Sequence, residues 1–578
     1  MRTVQGIPAS TGVARGPWVV IGAGEVPAGG LIAPGQAGAE LERLGVARDS
    51  AAAELEALAA ELTSAGRDEG EIFDAQAMMA RDPSLLDAAT TAIGEGHDAI
   101  GAIRIAAEGV AAQLRALGDE LLAARAADVL DVAERIAARL AGVDRTVALD
   151  RPSIVVAEDI PPSIAASLPR DRLLGMALQS GSATSHAAIL ARAFGIPAVV
   201  GVAGLLDAAR SPDGASATAD LAVAVIDGDS GEVVFEPDAA AASRLEGRRA
   251  AADQAARQAL EEASLPAVTR DGVEVTLLAN IGTPAEAERA VALGARGVGL
   301  FRTEFLFVER AAAPSEDEQV AANRAVVDAF APGPVTIRLL DVGGDKPIPW
   351  LPIPPEANPF LGVRALRLAG EQPGIFVTQL RAAMRAAAGG GRVKVMAPMV
   401  ADAGDVGVLL DLAARARAGL VADGLSHGGV DLGVMLEIPS AVLVAPTFFD
   451  LIRFASLGTN DLLQYTLAAD RGNPALERYR DPLHPALLRL IASAAKDAEA
   501  AGVELSVCGE MGGDPAAALA LVGLDVTVLS MAASSLAPVR RAIRAADAGQ
   551  LQEEARAALD ARSAAEVRAR FEALLPRA

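Results

Sequence analysis

Residues 273–304 read VEVTLLANIGTPAEAERAVALGARGVGLFRTE. Two short runs rich in apolar and β-branched residues flank a longer segment with helical spacing, so the stretch reads strand, helix, strand. Six further runs of the same kind follow: VTIRLLDV (335–342), VKVMAPMV (393–400), LGVMLEIP (432–439), IRFASLGTN (452–460), VELSVCGE (503–510) and VTVLSM (526–531). Eight strand-then-helix units within about 300 residues predict a parallel (β/α)8 barrel of the TIM type. An open doubly wound sheet is the alternative, but no Gly-rich dinucleotide turn accompanies the units.

Upstream of this unit the pattern changes. Residues 1–20 read as a strand, a Gly/Pro/Ser turn and a second strand. From about 37 to 142, segments such as AELERLGVARDSAAAELEALAAEL repeat apolar residues at helical spacing with few breakers, which predicts an inserted helical bundle. Strand-like runs return with SIVVAE, LLGMAL, AVV and LAVAVID, ending at GEVVFEPD (231–238). The fold class predicted is multidomain α/β. Its expected domains are 1–20 with 143–238, the bundle 21–142, a helical linker 239–262 and the barrel 263–578.

The composition sets limits. Of 578 residues, 52% are apolar and only 3% aromatic, so the cores must be built from Ala, Val, Leu and Ile. No apolar run is long enough to span a membrane and the N-terminus lacks an export pattern, which predicts a cytoplasmic protein without membrane insertion. A net charge of −24 argues against a nucleic-acid partner. One cysteine, Cys508, excludes an internal disulfide.

In such barrels the chemistry sits at the C-terminal mouth, where the βα loops converge. The predicted strands end on Asn280, on Arg302 and Glu304, on Arg338 and Asp341, on Glu437, on Asn460 and Asp461 (with Arg471 beyond), and on Cys508 and Glu510. Arginines suit a small anion carrying carboxylate and phosphate, because each guanidinium offers a bidentate fork. Glu437 and Asp461 match a Mg2+ ion that takes its other ligands from a substrate phosphate. Zn2+ is disfavoured, since no His or Cys cluster accompanies them. Cys508 could serve as a proton donor. GSATSHAAILARAFGIP (181–197) holds one of only four histidines at the start of an Ala-rich helical run. His186 is either incidental to a helix cap made by Thr184 or Ser185, or a nucleophile at a helix N-terminus that welcomes phosphate.

These motifs resemble the enzyme I family of the bacterial phosphoenolpyruvate:sugar phosphotransferase system, the phosphoenolpyruvate–protein phosphotransferases. The resemblance rests on TSHAAILARAFGIPAVVG (184–201), the segment 279–307, DVGGDK (341–346), NPFLGVRALR (358–367), GTNDLLQYTLAADRGN (458–473) and CGEMGGD (508–514). It extends over the helical insert through IFDAQAMMARDPSLL (72–86) and RAADVLDVAERI (125–136). It implies that His186 carries the phosphoryl group and that Cys508 protonates the enolate to give pyruvate. It further implies that Arg302, Arg338, Asn460, Asp461 and Arg471 bind phosphoenolpyruvate. Glu437 and Asp461 would then ligate Mg2+, with Thr184, Lys346, Arg364 and Gln464 as secondary contacts. It implies a swivelling His-bearing domain, an insert that docks the phosphocarrier protein HPr, and a homodimer formed through the barrel.

The chain departs from the family's pattern at three places. Ala183 replaces a common arginine before Thr-Ser-His, Gln76 a common histidine in the docking segment, and Ile438 a common threonine after the metal-binding glutamate. A pyruvate–phosphate dikinase or phosphoenolpyruvate synthase would place a large ATP-binding domain upstream of the His domain, where only a strand pair and the bundle stand. A catalytically inactive regulatory paralogue would be expected to lose the strand-end charges, and they are all kept. His97, His427 and His484 lack comparable surroundings and are expected to be surface or structural residues.

Overall fold

The computed structural model describes residues 1–21, 26–33, 35–64, 70–116, 120–143, 149–160, 164, 168–169, 172–181, 187–188, 191, 196–209, 223–307, 312–343, 348, 350–351, 353–354, 356–471 and 473–576. The chain forms two compact units, Met1–Ala255 and Ala256–Ala578.

In the first unit, eight strands form one mixed sheet: β1 (Arg2–Gln5), β2 (Ile7–Ser10), β3 (Val13–Ile21), β4 (Ser153–Ala157), β5 (Leu173–Leu178), β6 (Ala198–Val200), β7 (Val223–Asp227) and β8 (Glu232–Phe235). Their order is β1-β8-β7-β3-β4-β5-β6-β2. β3 to β6 are parallel neighbours, and β1, β2, β7 and β8 pair antiparallel. The N-terminal stretch therefore holds three strands where two were expected. The break comes at Gly6, where a Cβ would lie 2.5 Å from Val202 Cγ2 and 2.7 Å from the Val200 carbonyl. Only glycine lets the backbone pass so close to β6, and there the chain changes partner.

The bundle comprises α1 (Ala37–Ser64), α2 (Gly70–Ala80), α3 (Pro83–Gly94), α4 (Ala99–Ala116) and α5 (Glu120–Ala141). Asp82 caps α3 by accepting from Ser84 N at 2.8 Å, and proline occupies the first helical position. The interior is mostly alanine (Ala51, Ala52, Ala89, Ala102, Ala107) with Leu55, Phe73, Ile103 and Ile136 filling the gaps. Small residues bring the helices close, so few aromatics are required. Gln76 is fully buried and donates to Asp128 Oδ1 at 3.3 Å, so it faces the bundle interior rather than a partner. A short helix α6 (Leu205–Ala209) and the connector α7 (Ala239–Glu261) complete this part.

The second unit is a closed barrel. After the short β9 (Ala267–Val268) come β10 (Glu274–Ile281), β11 (Val298–Arg302), β12 (Pro334–Arg338), β13 (Arg392–Ala397), β14 (Asp431–Leu436), β15 (Phe454–Leu457), β16 (Glu504–Val507) and β17 (Val528–Met531). Each pairs parallel with the next, and β17 returns to β10, which also pairs with β11. All eight expected strands are present. Barrel strands are buried on both faces, which is why they read as continuous apolar runs. Around them lie α8 (Ala285–Ala292), α9 (Glu316–Phe330), α10 (Pro373–Ala386), α11 (Ala403–Ala422), α12 (Pro439–Val444), α13 (Thr459–Leu467), α14 (Pro485–Ala501), α15 (Pro515–Gly523), α16 (Leu536–Ala545), α17 (Ala548–Ala558) and α18 (Ala564–Glu572). A capping box of Ser315 and Glu318 starts α9. His484 caps α14, its Nδ1 accepting from Ala486 N at 3.2 Å, and His427 is half-buried. Among the described residues no helix is long and apolar enough to cross a membrane.

Candidate active site

The C-terminal ends of β11, β12, β14, β15 and β16 deliver polar side chains to one cavity of about 920 Å³. Arg302 ends β11 and Arg338 ends β12. Glu437 follows β14 by one residue, Cys508 follows β16, and Asn460, Asp461 and Gln464 ride on α13 just past β15. All seven line the cavity, as does Arg471. Arg364 is not part of the lining. His186, Thr184 and Lys346 lie outside the described residues.

Buried charges alternate across the mouth. Glu304 Oε1 accepts from Arg338 Nη2 at 2.8 Å, and Arg338 Nη1 lies 3.4 Å from Asp341 Oδ2. Arg364 sits behind Asp341 with a fork of contacts at 2.9–3.1 Å and reaches Asp461 at 3.6 Å. Arg471 Nη1 closes the series 3.2 Å from Asp461 Oδ1. Burial disfavours the charged forms of Arg338 and Arg364, but the carboxylates around them hold both guanidiniums firmly protonated. Such a network fixes side-chain positions more than it stabilises the fold, because desolvation offsets much of the attraction.

Two groups stand outside this compensation. Arg302 has no ion-pair partner among the described residues, which leaves a cation free for an anionic ligand. Glu437, only 1% exposed, accepts from Met399 N at 2.6 Å and has no cation in contact among the described residues. Burial, then the nearby Asp461 and Asp341, push its carboxyl well above the usual carboxylate range. Met399 adopts φ +58°, a left-handed conformation costly for a side chain of its size, and its N–H is the one that holds Glu437.

These residues fit a divalent cation. Glu437 is an uncompensated buried carboxylate beside Asp461, and Asp461 Oδ1 is buried without an aligned hydrogen bond. Among the described residues no three acidic, His or Cys side chains form a cage. That donor set suits a hard ion which draws its remaining ligands from water and phosphate.

Cys508 is 2% exposed, and its thiol points at Leu457 O, 3.7 Å away. Burial pushes the thiol up to about 11, with the neighbouring Glu437 adding to the shift. It therefore keeps its proton at neutral pH, as a proton donor must. Asn280 supports it from β10, donating to the Cys508 carbonyl at 3.0 Å while accepting from Ser530 Oγ at 2.5 Å. Asn460 Oδ1 accepts from Glu510 N at 3.1 Å, and Gln464 Oε1 from Arg471 N at 3.1 Å, so both tie loops together at the rim.

Sequence reasoning passed over several residues that line the mouth or support those that do. Tyr479 and Arg480 come from the loop after α13, where no strand-end rule applies. Tyr465 joins Arg364 to the Phe360 carbonyl, at 3.3 and 2.6 Å. Gln379, on α10, donates to Thr303 Oγ1 at 3.1 Å, and Thr303 in turn donates to the Arg338 carbonyl. A buried glutamine inside an amphipathic helix was the one available signal.

Three family models match in succession: PEP-utilising enzyme, N-terminal (residues 5–125), mobile domain (149–231) and PEP-binding domain (256–548). The phosphoenolpyruvate-protein phosphotransferase of Streptomyces coelicolor is 44% identical over 90% of this chain and 91% of its own. That of Geobacillus stearothermophilus is 37% identical over 88% of this chain and 87% of its own. Among solved structures, an NMR solution structure of an Enzyme I protein is 28% identical over 43% of this chain and 99% of that one, with a TM-score of 0.37.

Proposed function

The chain belongs to the phosphoenolpyruvate–protein phosphotransferases of the PEP-utilising enzyme family, and from that premise we propose the route its phosphoryl group takes. The donor is phosphoenolpyruvate, held in the barrel mouth. The first acceptor is His186, the second a histidine of the phosphocarrier protein HPr, and the released product is pyruvate. The observation that carries this reading is the mouth itself, where an uncompensated arginine, an uncompensated carboxylate and a proton-bearing thiol share one cavity.

Arg302, Arg338 and Arg471 bind the carboxylate and phosphate, with Asn460 and Asp461 at the same rim. Arg364 positions the site through Asp341 and Asp461, and Gln464 positions the loop that bears Arg471. Lys346 and Thr184 are further contacts, Thr184 beside the phosphorylated imidazole. Glu437 and Asp461 would hold Mg2+, which would supply charge neutralisation for the transferred phosphoryl group. The neutral imidazole of His186 attacks phosphorus in line, and the bond from phosphorus to the enol oxygen breaks. Arginines fixed by the ion-pair series meet the charge that develops, without reorganising. The enolate carbon takes the proton of Cys508, which yields pyruvate, and the thiolate regains a proton from solvent. We assign the His186 domain to 1–20 with 143–238, HPr docking to the bundle 21–142, the linker to 239–262, and dimerisation to the barrel 263–578.

Incubation with phosphoenolpyruvate, Mg2+ and purified HPr, followed by intact-mass measurement of both proteins and assay of pyruvate, tests the reading. One phosphoryl group on each protein and stoichiometric pyruvate are expected. HPr left unmodified by a phosphorylated chain would refute the assigned acceptor.

A further inference from the structure

The barrel holds a second cavity, of about 600 Å³, at the end opposite the mouth. Its lining includes the residues that open five strands: Glu274, Pro334, Arg392, Glu504 and Val528. It is therefore the N-terminal floor of the barrel, a face that in such folds ordinarily serves stability rather than chemistry.

The charge there is unusual for a chain of net charge −24. Arg296, Arg392, Lys394 and Arg540 line the cavity against only Glu274 and Glu504. Lys394 and Glu504 neutralise each other at 2.7 Å, with the ammonium also over the Phe454 ring at 5.0 Å. None of Arg296, Arg392 and Arg540 has an acidic partner within ion-pair distance among the described residues.

Arg540 is the key group. It lies on α16 and is 1% exposed, the largest fully buried side chain among the described residues. Its Nη2 donates to the carbonyls of Leu293 and Gly294, both at 3.1 Å, while Nη1 is buried with no hydrogen-bond partner among the described residues. Gly294 makes room for it: with φ +84°, a Cβ there would stand 2.7 Å from Arg540 Nη2 and 2.0 Å from the Ala263 carbonyl. Burial, then Arg296, acts against the charged guanidinium; Glu262 opposes this and Arg544 adds to it. A buried cation with a free donor is costly unless something anionic satisfies it.

We propose that this floor cavity is a second anion site, separate from the mouth, which binds a small phosphate- or carboxylate-bearing metabolite through Arg540, with Arg296 and Arg392 at its rim. Occupancy would neutralise Arg540 and tie α16 to the starts of β11 and β13, so the ligand would act as an effector and not as a substrate.

The test uses the full chain and titrates inorganic phosphate, then glycerol 3-phosphate and acetate, by calorimetry. An Arg302→Ala/Arg471→Ala variant removes the competing mouth cations, and an Arg296→Ala/Arg392→Ala variant alters only exposed rim groups. Arg540→Met supplies the buried arm. Phosphate binding that survives the mouth substitutions and weakens by about tenfold or more on losing the rim pair is expected. The phosphate ester and acetate arms then show which head group is preferred. Binding abolished by the mouth substitutions alone, or unchanged in both the rim and Arg540 variants, overturns the proposal. Should Arg540→Met fail to fold, the rim variant decides by itself.

Discussion

Cys508 and Glu437 are neighbours that burial drives in the same chemical direction, both toward holding a proton. For the thiol this is useful, and it gives a kinetic signature. The thiolate fraction should rise about tenfold per pH unit without levelling near the ordinary thiol value of about 8.5. Alkylation of Cys508 followed from pH 7 to 10 should thus climb throughout; a plateau near pH 8.5 would contradict the burial argument. For the glutamate the same burial is a cost that a bound cation relieves. In chelator-treated protein, Glu437→Gln keeps an acceptor for Met399 N and removes a group that folding forces to take up a proton. It should raise stability at pH 7 by about 2 kcal/mol in a denaturant titration, while turnover in Mg2+ is lost. A destabilised variant would mean that the carboxylate is charged and compensated in the folded protein. Arg364→Met is expected to do the reverse: Asp341 is left buried without its guanidinium, at a cost of about 3 kcal/mol. A loss below about 1 kcal/mol would show that Asp341 relies on Arg338 instead.

At the scale of elements, the mouth depends on how closely strand ends approach one another. Gly509 follows Cys508 directly, and a Cβ there would lie 2.0 Å from Thr459 Oγ1 and 2.8 Å from Thr459 N. Gly509→Ala should push α13 outward, taking Asn460, Asp461 and Gln464 with it. A shift of about 1 Å is expected to lower kcat/KM by about 10²-fold with little change in secondary structure by circular dichroism. Unchanged kinetics would show that α13 is not held by this contact. The barrel elements were legible in the sequence because strands buried on both faces read as unbroken apolar runs, and because chemistry collects where they end. The Arg302, Arg338, Glu437 and Cys508 positions follow from that rule. Tyr479 and Arg480 do not, since they lie in a loop with no periodicity. Arg540 was hidden in LAPVRRAIRA, which reads as an ordinary amphipathic helix with its arginines in solvent. Only its tertiary packing against the Leu293 and Gly294 carbonyls shows otherwise.

Taken as a whole molecule, the chain divides its chemistry between two units of different construction. The second gathers charged side chains at one end of the barrel, in a cavity lined by the strand-end residues that the regular alternation of strands and helices singled out in the sequence. The first is an eight-stranded sheet with a bundle, whose third N-terminal strand was missed because one glycine splits what reads as a single run. His186 belongs to the first unit by sequence, the phosphoenolpyruvate site to the second, and the account requires phosphoryl transfer between them. The direct measurement is acid-labile phosphate formed from labelled phosphoenolpyruvate and Mg2+, located by peptide mapping in wild type and in His186→Ala. The account predicts one labelled peptide containing residues 184–186 in the wild type and no incorporation in the variant, although the variant still binds phosphoenolpyruvate. Equal incorporation in both proteins, or label on another residue, would contradict it.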